Sequence, residues 1–342
     1  MQSDFTTIPA SALPFPVMLI DASQIVAAIS PPLADILGHH LVGRHYITAL
    51  RQPILLEAIE AAMKTGKAGS ARWLGRDGAR DTTWLVHILP DDGRVVLTFE
   101  DQTAVEAVGQ LRRDFVANVS HELRTPLTAL QGFIETLRGA ARNDPDARAR
   151  FLGIMERETA RMTQLVDDLL SLSRVEENER MRPAGNVAFG ALVAATLAEL
   201  EPVIAASGVA VTFRDDSAGT EVQADANQLR QVVGNLIENA VKYGATGGVL
   251  NVTLDAPVYH RGLRAEGLAL HVQDHGPGIA AHHIPRLTER FYRVDAHRSR
   301  NLGGTGLGLA IVKHIVNRHR GRLMIESTVA QGTTCTVILP KE

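Results

Sequence analysis

Phe151, Met155, Met162, Leu165, Leu169 and Leu172 recur in alternating steps of three and four, with only Glu158 interrupting the series. That spacing draws one apolar stripe along many helical turns, so the segment predicts a long helix built to pack on other helices. The segment before it carries Leu111, Phe115, Val119, Leu130, Phe133 and Leu137 at similar spacing. Between them, Asn143-Asp-Pro-Asp146 supplies a turn and a helix cap. Together they predict a helical hairpin over 104–180. One hairpin has too little partner surface to bury both stripes, so two chains are expected to associate as a dimeric four-helix bundle.

At 342 residues the chain is longer than one typical core supports, and the hairpin separates two regions of different character. From Leu13 to about Glu100, apolar runs (Val17-Met-Leu-Ile20, Trp84 to Leu89, Val95 to Phe99) alternate with a helical stretch near Pro53 to Lys64. Asp77-Gly78 and Asp92-Gly93 mark turns. This reads as a small α/β domain over 1–103 with an antiparallel sheet. In order and length, and in Leu19-Ile-Asp21 followed by Ile25-Val26, it resembles a PAS sensor domain. After Arg182-Pro183, helix signals (Ala191 to Ala206, Ala226 to Tyr243, Leu307 to Arg320) alternate with strand runs at Val209 to Phe213, Val249 to Leu254, Leu268 to Gln273, Arg322 to Glu326 and Thr333 to Leu339. The 185–342 stretch is therefore expected to be an α+β layer domain large enough to fold alone, making the chain multidomain α+β.

With 35 Lys and Arg against 38 Asp and Glu, there is no electrostatic reason to expect nucleic acid as a partner. The one cysteine, Cys335, sits in a β-branched run and reads as a buried strand residue in a reducing compartment. No stretch approaches the roughly 18 apolar residues of a membrane helix; the best candidate, Val17 to Ile29, is broken by Asp21 and Gln24. A basic segment followed by an apolar core is also missing at the start. The expectation is a cytoplasmic chain, with inner-membrane association through a membrane-bound upstream partner or segment if it is a fragment.

The chemistry-bearing strings begin with Ser120-His-Glu-Leu-Arg-Thr-Pro-Leu127. Pro126 removes one backbone hydrogen bond and is expected to bend the helix beyond His121. A neutral imidazole on an outer helix face is a nucleophile, and a carboxylate beside it, here Glu122, can hold its tautomer and accept its proton. In Asn235-Leu-Ile-Glu-Asn-Ala-Val-Lys-Tyr243, Asn235, Glu238, Asn239 and Lys242 share one helix face while Leu236, Ile237, Ala240 and Val241 face a core. Amide oxygens and an ammonium suit Mg²⁺ and phosphates. Asp274-His-Gly-Pro-Gly-Ile279 puts a carboxylate before a tight turn, able to accept from an exocyclic amine. Gly303-Gly-Thr-Gly-Leu-Gly-Leu309 leads into a helix whose N–H groups can face phosphate oxygens. A P-loop would end in Gly-Lys-Ser/Thr, which is not present here.

Taken in order, these strings with Glu289-Arg-Phe-Tyr-Arg293 and Gly332-Thr-Thr334 resemble the boxes of the GHKL ATPase superfamily, a Bergerat-type α/β sandwich. The string around His121 resembles the phosphoacceptor box of sensor histidine kinases of two-component systems. The resemblance covers roughly 105–340. Ile284 to Asp295, Gly303 to Leu309 and Ile311-Val-Lys-His-Ile315 look most like the phosphate-regulon sensor kinases. It implies that His121 is phosphorylated from ATP, with Glu122 as acid–base partner and Thr125 orienting water for dephosphorylation of the partner. It further implies that Asn239 binds Mg²⁺ with help from Asn235, that Lys242 and Tyr243 approach the phosphates, and that Asp274 reads the adenine amine. Gly276 and Gly278 would close around the base. Arg290 and Arg293 would lie in a lid over about 280–302, and Gly304, Thr305, Gly306, Leu307, Gly308 and Thr333 would complete the pocket. The implied partner is a response regulator receiver domain, which takes the phosphoryl group onto an aspartate and from which the same protein removes it. His275 stands where Asn or Thr is common in the family. The His282-His283 pair has no Cys or carboxylate at metal-site spacing. Two other readings stay open: a GHKL ATPase that activates water with a glutamate, and a scaffold in which nucleotide only sets conformation.

Overall fold

The computed structural model describes residues 12–78, 80–179, 181–295 and 304–341, with the backbone alone for Asp77, Leu111 and Arg112. The chain divides into two compact units, 1–117 and 118–342.

In the first unit, β1 (Val17–Ile20), β2 (Val26–Ile29), β3 (Gly69–Asp77), β4 (Arg80–Asp91) and β5 (Arg94–Asp101) form an antiparallel sheet in the order β2-β1-β5-β4-β3. Thr82, Trp84, Val86 and Ile88 of β4 are buried and their neighbours less so, the period of two that a half-covered sheet imposes. Helices α1 (Pro31–Leu37) and α2 (Pro53–Thr65) accompany the sheet, and α2 buries Leu55, Ile59 and Ala62 before Gly66 ends it in a left-handed cap. Trp73 meets Phe99 edge to face at 5.8 Å. Two of these elements, β3 and α1, were not expected from the apolar runs.

The hairpin is α3 (Thr103–Arg138) and α4 (Pro145–Glu177). Asp144 caps α4 by accepting from the Ala147 N–H at 2.9 Å, and Pro145 fills the first helical position, as the turn signal implied. Phe133 and Phe151 stack across the hairpin at 5.4 Å. Pro126 lies inside α3, which is one helix from Thr103 to Arg138. The expected bend therefore does not interrupt it, and on the residue before Pro126 the Thr125 hydroxyl donates to the His121 carbonyl at 3.1 Å.

The rest of the second unit is a mixed sheet in the order β12-β13-β11-β9-β7: β7 (Ala210–Asp215), β9 (Val249–Leu254), β11 (Ala265–Asp274), β12 (Arg322–Thr328) and β13 (Gly332–Pro340). β7 and β9 are parallel, the other pairs antiparallel, and β10 (Val258–His260) adds to β11. Helices α5 (Phe189–Ser207), α6 (Ala226–Gly244) and α7 (Gly308–Arg318) cover it. The short pair β6 (Asn186–Ala188) and β8 (Glu221–Gln223) stands apart. Among the described residues, α5 is the one helix long and apolar enough to cross a membrane, in place of the Val17 to Ile29 stretch. Here it buries Phe189, Leu192, Val193 and Ile204 and packs on α6 and β7.

His319, 1% exposed, joins two of these helices. Its Nδ1–H donates to the Ile315 carbonyl at 2.8 Å, and its Nε2 accepts from the Asp225 N–H at 3.1 Å. Asp225 in turn caps α6. That geometry assigns the neutral tautomer, and burial above all holds the imidazole below its usual pKa. A group depressed on folding gives stability that is complete above the unfolded value, about 6.5 for histidine, and is lost as pH falls below it. Urea denaturation at pH 7.5 and 5.5 should show a loss of stability at the lower pH that His319→Gln, which does not titrate, lacks.

Candidate active site

α6 builds one wall. Its cap at Asp225 and its buried face of Leu229, Val232, Val233, Leu236 and Ile237 fix the rotation of the helix. Asn235, Glu238, Asn239 and Lys242 are thereby turned to a cavity of about 330 Å³. Lys242 Nζ pairs with Glu238 at 2.8 Å. The buried Nδ2 of Asn235 has no partner among the described residues, nor has the buried Nε of Arg293. Both residues line the cavity, and an unsatisfied buried donor is costly to the fold.

β11 delivers Asp274 to the opposite end, paired in register with Thr333 of β13. The carboxylate accepts from the Gly276 N–H at 2.9 Å, while burial raises its pKa above the usual carboxylate range. Gly244 ends α6 against it; a Cβ there would strike the Asp274 side chain, so only glycine lets helix and strand end meet this closely. Gly278 has φ +66°, and a Cβ on it would fall inside the Thr328 carbonyl. Strain plus a backbone clash should make Gly278→Ala cost about 3 kcal/mol, read as a thermal midpoint lowered by about 10 °C. The cavity also has an apolar side formed by Val272, Leu309, Ile325 and Cys335. Burial pushes the Cys335 thiol up to about 12, so it stays protonated and acts as a small apolar wall.

The glycine loop closes the third side. Gly306 has φ +74°, with Phe291 backbone 3.0 Å from where a Cβ would be, and Gly308 brings α7 against Asn235. Of the residues singled out in sequence, Asn235, Asn239, Lys242, Tyr243, Asp274, Gly278 and Arg293 line this cavity, with Gly304, Thr305, Gly306, Gly308 and Thr333. Others do not. Gly276 packs on Gly244 and shapes the turn, and Leu307 is buried in the core beneath the loop. Of the two lid arginines, Arg293 lines the cavity, while Arg290 pairs with Glu176 at the end of α4 and is not among the cavity-lining residues. Gly303 and residues 296–302 of the expected lid lie outside the described residues. His275 bonds Asn251 at 2.9 Å, away from the cavity. His283 bonds Tyr292 at 2.6 Å, and the described residues hold no cluster of metal-ligating side chains.

The hairpin supplies residues that the motifs did not name. Gln164 and Asp168 of α4 line the same cavity. Asp168, 5% exposed, accepts from the Thr305 hydroxyl at 2.7 Å and from Gln164 Nε2 at 2.8 Å. Burial raises its pKa, and Glu238 adds to that, against the lowering effect of those two bonds. Glu122, expected to serve the His121 ring, instead holds Arg161 at 3.0 Å and Arg293 at 3.2 Å. His121 itself is exposed. His314 of α7 meets Glu179 at 3.1 Å and Glu176 at 3.4 Å, and Ser171 donates to Gln231 of α6 at 2.8 Å. The signal for Asp168 was available: it falls three residues after Leu165 and four before Leu172, a carboxylate on the apolar stripe itself.

Comparison with known proteins agrees with this geometry. Residues 111–178 match the His Kinase A (phospho-acceptor) domain, and 224–342 match the histidine kinase-, DNA gyrase B-, and HSP90-like ATPase family. Over 241 residues the chain is 40% identical to the phosphate regulon sensor protein PhoR of Pseudomonas aeruginosa, covering 70% of this chain and 53% of that one. Over 249 residues it is 36% identical to the sensor histidine kinase WalK of Bacillus subtilis, covering 73% and 40%. The chain thus spans about half the length of these relatives or less. The solved structure of the histidine kinase ThkA in complex with response regulator protein TrrA shares the fold, with a TM-score of 0.53 at 18% identity over 96% of each chain. With a phosphoacceptor hairpin leading into an ATPase domain, and with these relatives, the chain belongs to the sensor histidine kinase family.

Proposed function

We propose that the chain is a protein histidine kinase that moves the γ-phosphoryl group of ATP to His121 and then to an aspartate of a response regulator. One observation carries this reading. His121 is exposed on α3, and the carboxylate of the next residue, Glu122, bonds Arg293, which lines the cavity. The phosphoacceptor and the candidate nucleotide site therefore lie side by side.

The cavity suits ATP with Mg²⁺ by its lining: amide oxygens on Asn235 and Asn239, Lys242 beside them, and Asp274 at the far end for the adenine amine. Mg²⁺, held by Asn239 with Asn235, would neutralise charge on the phosphates. Nε2 of His121 forms the N–P bond as the P–O bond to the leaving ADP breaks. Glu122 receives the ring proton once Arg161 and Arg293 release it. Positioning and charge neutralisation supply the rate. Transfer to the regulator's aspartate regenerates His121. In a separate phosphatase reaction, Thr125, one turn after His121, orients a water that attacks the aspartyl phosphate and releases inorganic phosphate and the free aspartate.

The remaining parts follow from the same reading. The chain works as three domains, 1–103, 104–180 and 185–342. Leu127, Ile134, Leu152, Val166 and Leu170 leave large apolar side chains exposed on the hairpin, which a second copy would cover in a four-helix bundle. The first unit, with its 2-1-5-4-3 antiparallel sheet, serves as a PAS-like sensor. Phosphate-regulon signalling is the assignment favoured by identity to PhoR. The chain acts at the cytoplasmic face, beneath a membrane-bound partner or segment.

Incubation with γ-labelled ATP and Mg²⁺ tests the core claim. The label should be acid-labile and alkali-stable and should map to the peptide holding His121. ATP turnover with no labelled protein would make the chain an ATPase of the same superfamily, and no nucleotide binding would make it a scaffold.

A further inference from the structure

We propose that Asp168 of the hairpin is a positioning residue for the nucleotide loop, acting through Thr305, so that the ATP site is completed by α4 and is not the property of the C-terminal domain alone. This deepens the kinase reading and rests on it for the identity of the ligand. The Thr305 hydroxyl does two things at once. It accepts from the Leu307 N–H at 3.3 Å, which folds the turn through Gly306, and it donates to Asp168 Oδ2 at 2.7 Å. A hydroxyl has one proton; spending it on Asp168 leaves its lone pairs for Leu307 and so sets the direction of the whole loop. Asp168 is held from its other side by Gln164, which also lines the cavity. Both ends of the Thr305–Asp168 bond are nine-tenths buried, where such a charge-assisted bond is strong and its loss is not made good by water. Gly304, Thr305, Gly306 and Gly308 line the cavity as one strand of backbone. The loop presents that backbone correctly only while α4 stays docked.

The test uses the full 342-residue chain and two readings: the Kd of a fluorescent non-hydrolysable ATP analogue with Mg²⁺, and the KM for ATP in self-labelling. Asp168→Ala and Thr305→Val should each weaken both by about tenfold, the ratio lost with one such bond. The double variant should also lose about tenfold, because the two changes remove the same bond. Thr305→Ser, which keeps the hydroxyl, should stay within about threefold of wild type. A double variant near a hundredfold, Thr305→Ser as damaged as Thr305→Val, or unchanged or tighter binding in Asp168→Ala would overturn the proposal. If Asp168→Ala fails to fold, the Thr305 pair still decides it, since a merely structural acid would not separate serine from valine. If the wild type binds the analogue with the expected coupling but never labels itself, the kinase reading falls and the role of Asp168 stands. If it binds no analogue at all, both fall.

Discussion

His121→Ala is expected to remove self-labelling by γ-labelled ATP altogether, a loss of more than about a thousandfold, while nucleotide affinity stays within about threefold of wild type. The two halves of this expectation come from different observations. His121 supplies the only nitrogen proposed to bond phosphorus, and no neighbouring group substitutes for a covalent nucleophile. It is also absent from the cavity-lining residues, so removing its ring leaves Asn235, Asn239, Lys242 and Asp274 where they are. Labelling measured beside equilibrium binding separates the effects. Acid-labile, alkali-stable label persisting in this variant would refute His121 as the phosphoacceptor.

Asn239→Ala is expected to have the opposite signature: affinity for Mg²⁺ and ATP reduced about a hundredfold, with labelling reduced at least as far and the fold intact. Asn239 faces the cavity at mid-helix on α6, between Leu236 and Ala240, which are buried on the other side. Alanine is a better helix former, so the helix itself gains. What is lost is a hard oxygen ligand for the metal, and loss of one interaction with a charged group is worth about 2 to 3 kcal/mol. Calorimetric titration with and without Mg²⁺ reads it: wild-type affinity should fall on chelation to about the level of the variant. Mixing the two variants is informative as well. Label appearing on the Asn239→Ala chain when His121→Ala is added would mean that transfer crosses between chains of a dimer.

How much of this was readable before any coordinates depends on the range over which each feature is encoded. α6, α7 and the hairpin follow local periodicity closely: Ala226 to Tyr243 was expected and Ala226–Gly244 is observed, and the Asn143 to Asp146 cap lies where the turn chemistry placed it. Asp274 at a strand end and the glycine turns were likewise legible, because backbone geometry restricts which residues fit there. β6 and β8, three residues each, are too short to carry a period of two. The Asp77-Gly78 turn marked the end of β3, but no apolar run gave its extent, which comes from pairing with β4.

The sequence by itself determined the hairpin, the order of the C-terminal elements and the candidate site residues on α6 and β11, because each is written in spacing over a few residues. Only the tertiary structure decided that Glu122 faces two guanidinium groups, that Arg290 belongs to Glu176, and that Asp168 reaches Thr305. Those partners lie 39 to 171 residues apart; Glu122 and Arg161 meet within the hairpin, and the other pairs meet because the hairpin docks on the ATPase domain. Such pairing is set by which surfaces fit once helices and sheet exist, and no local pattern records it.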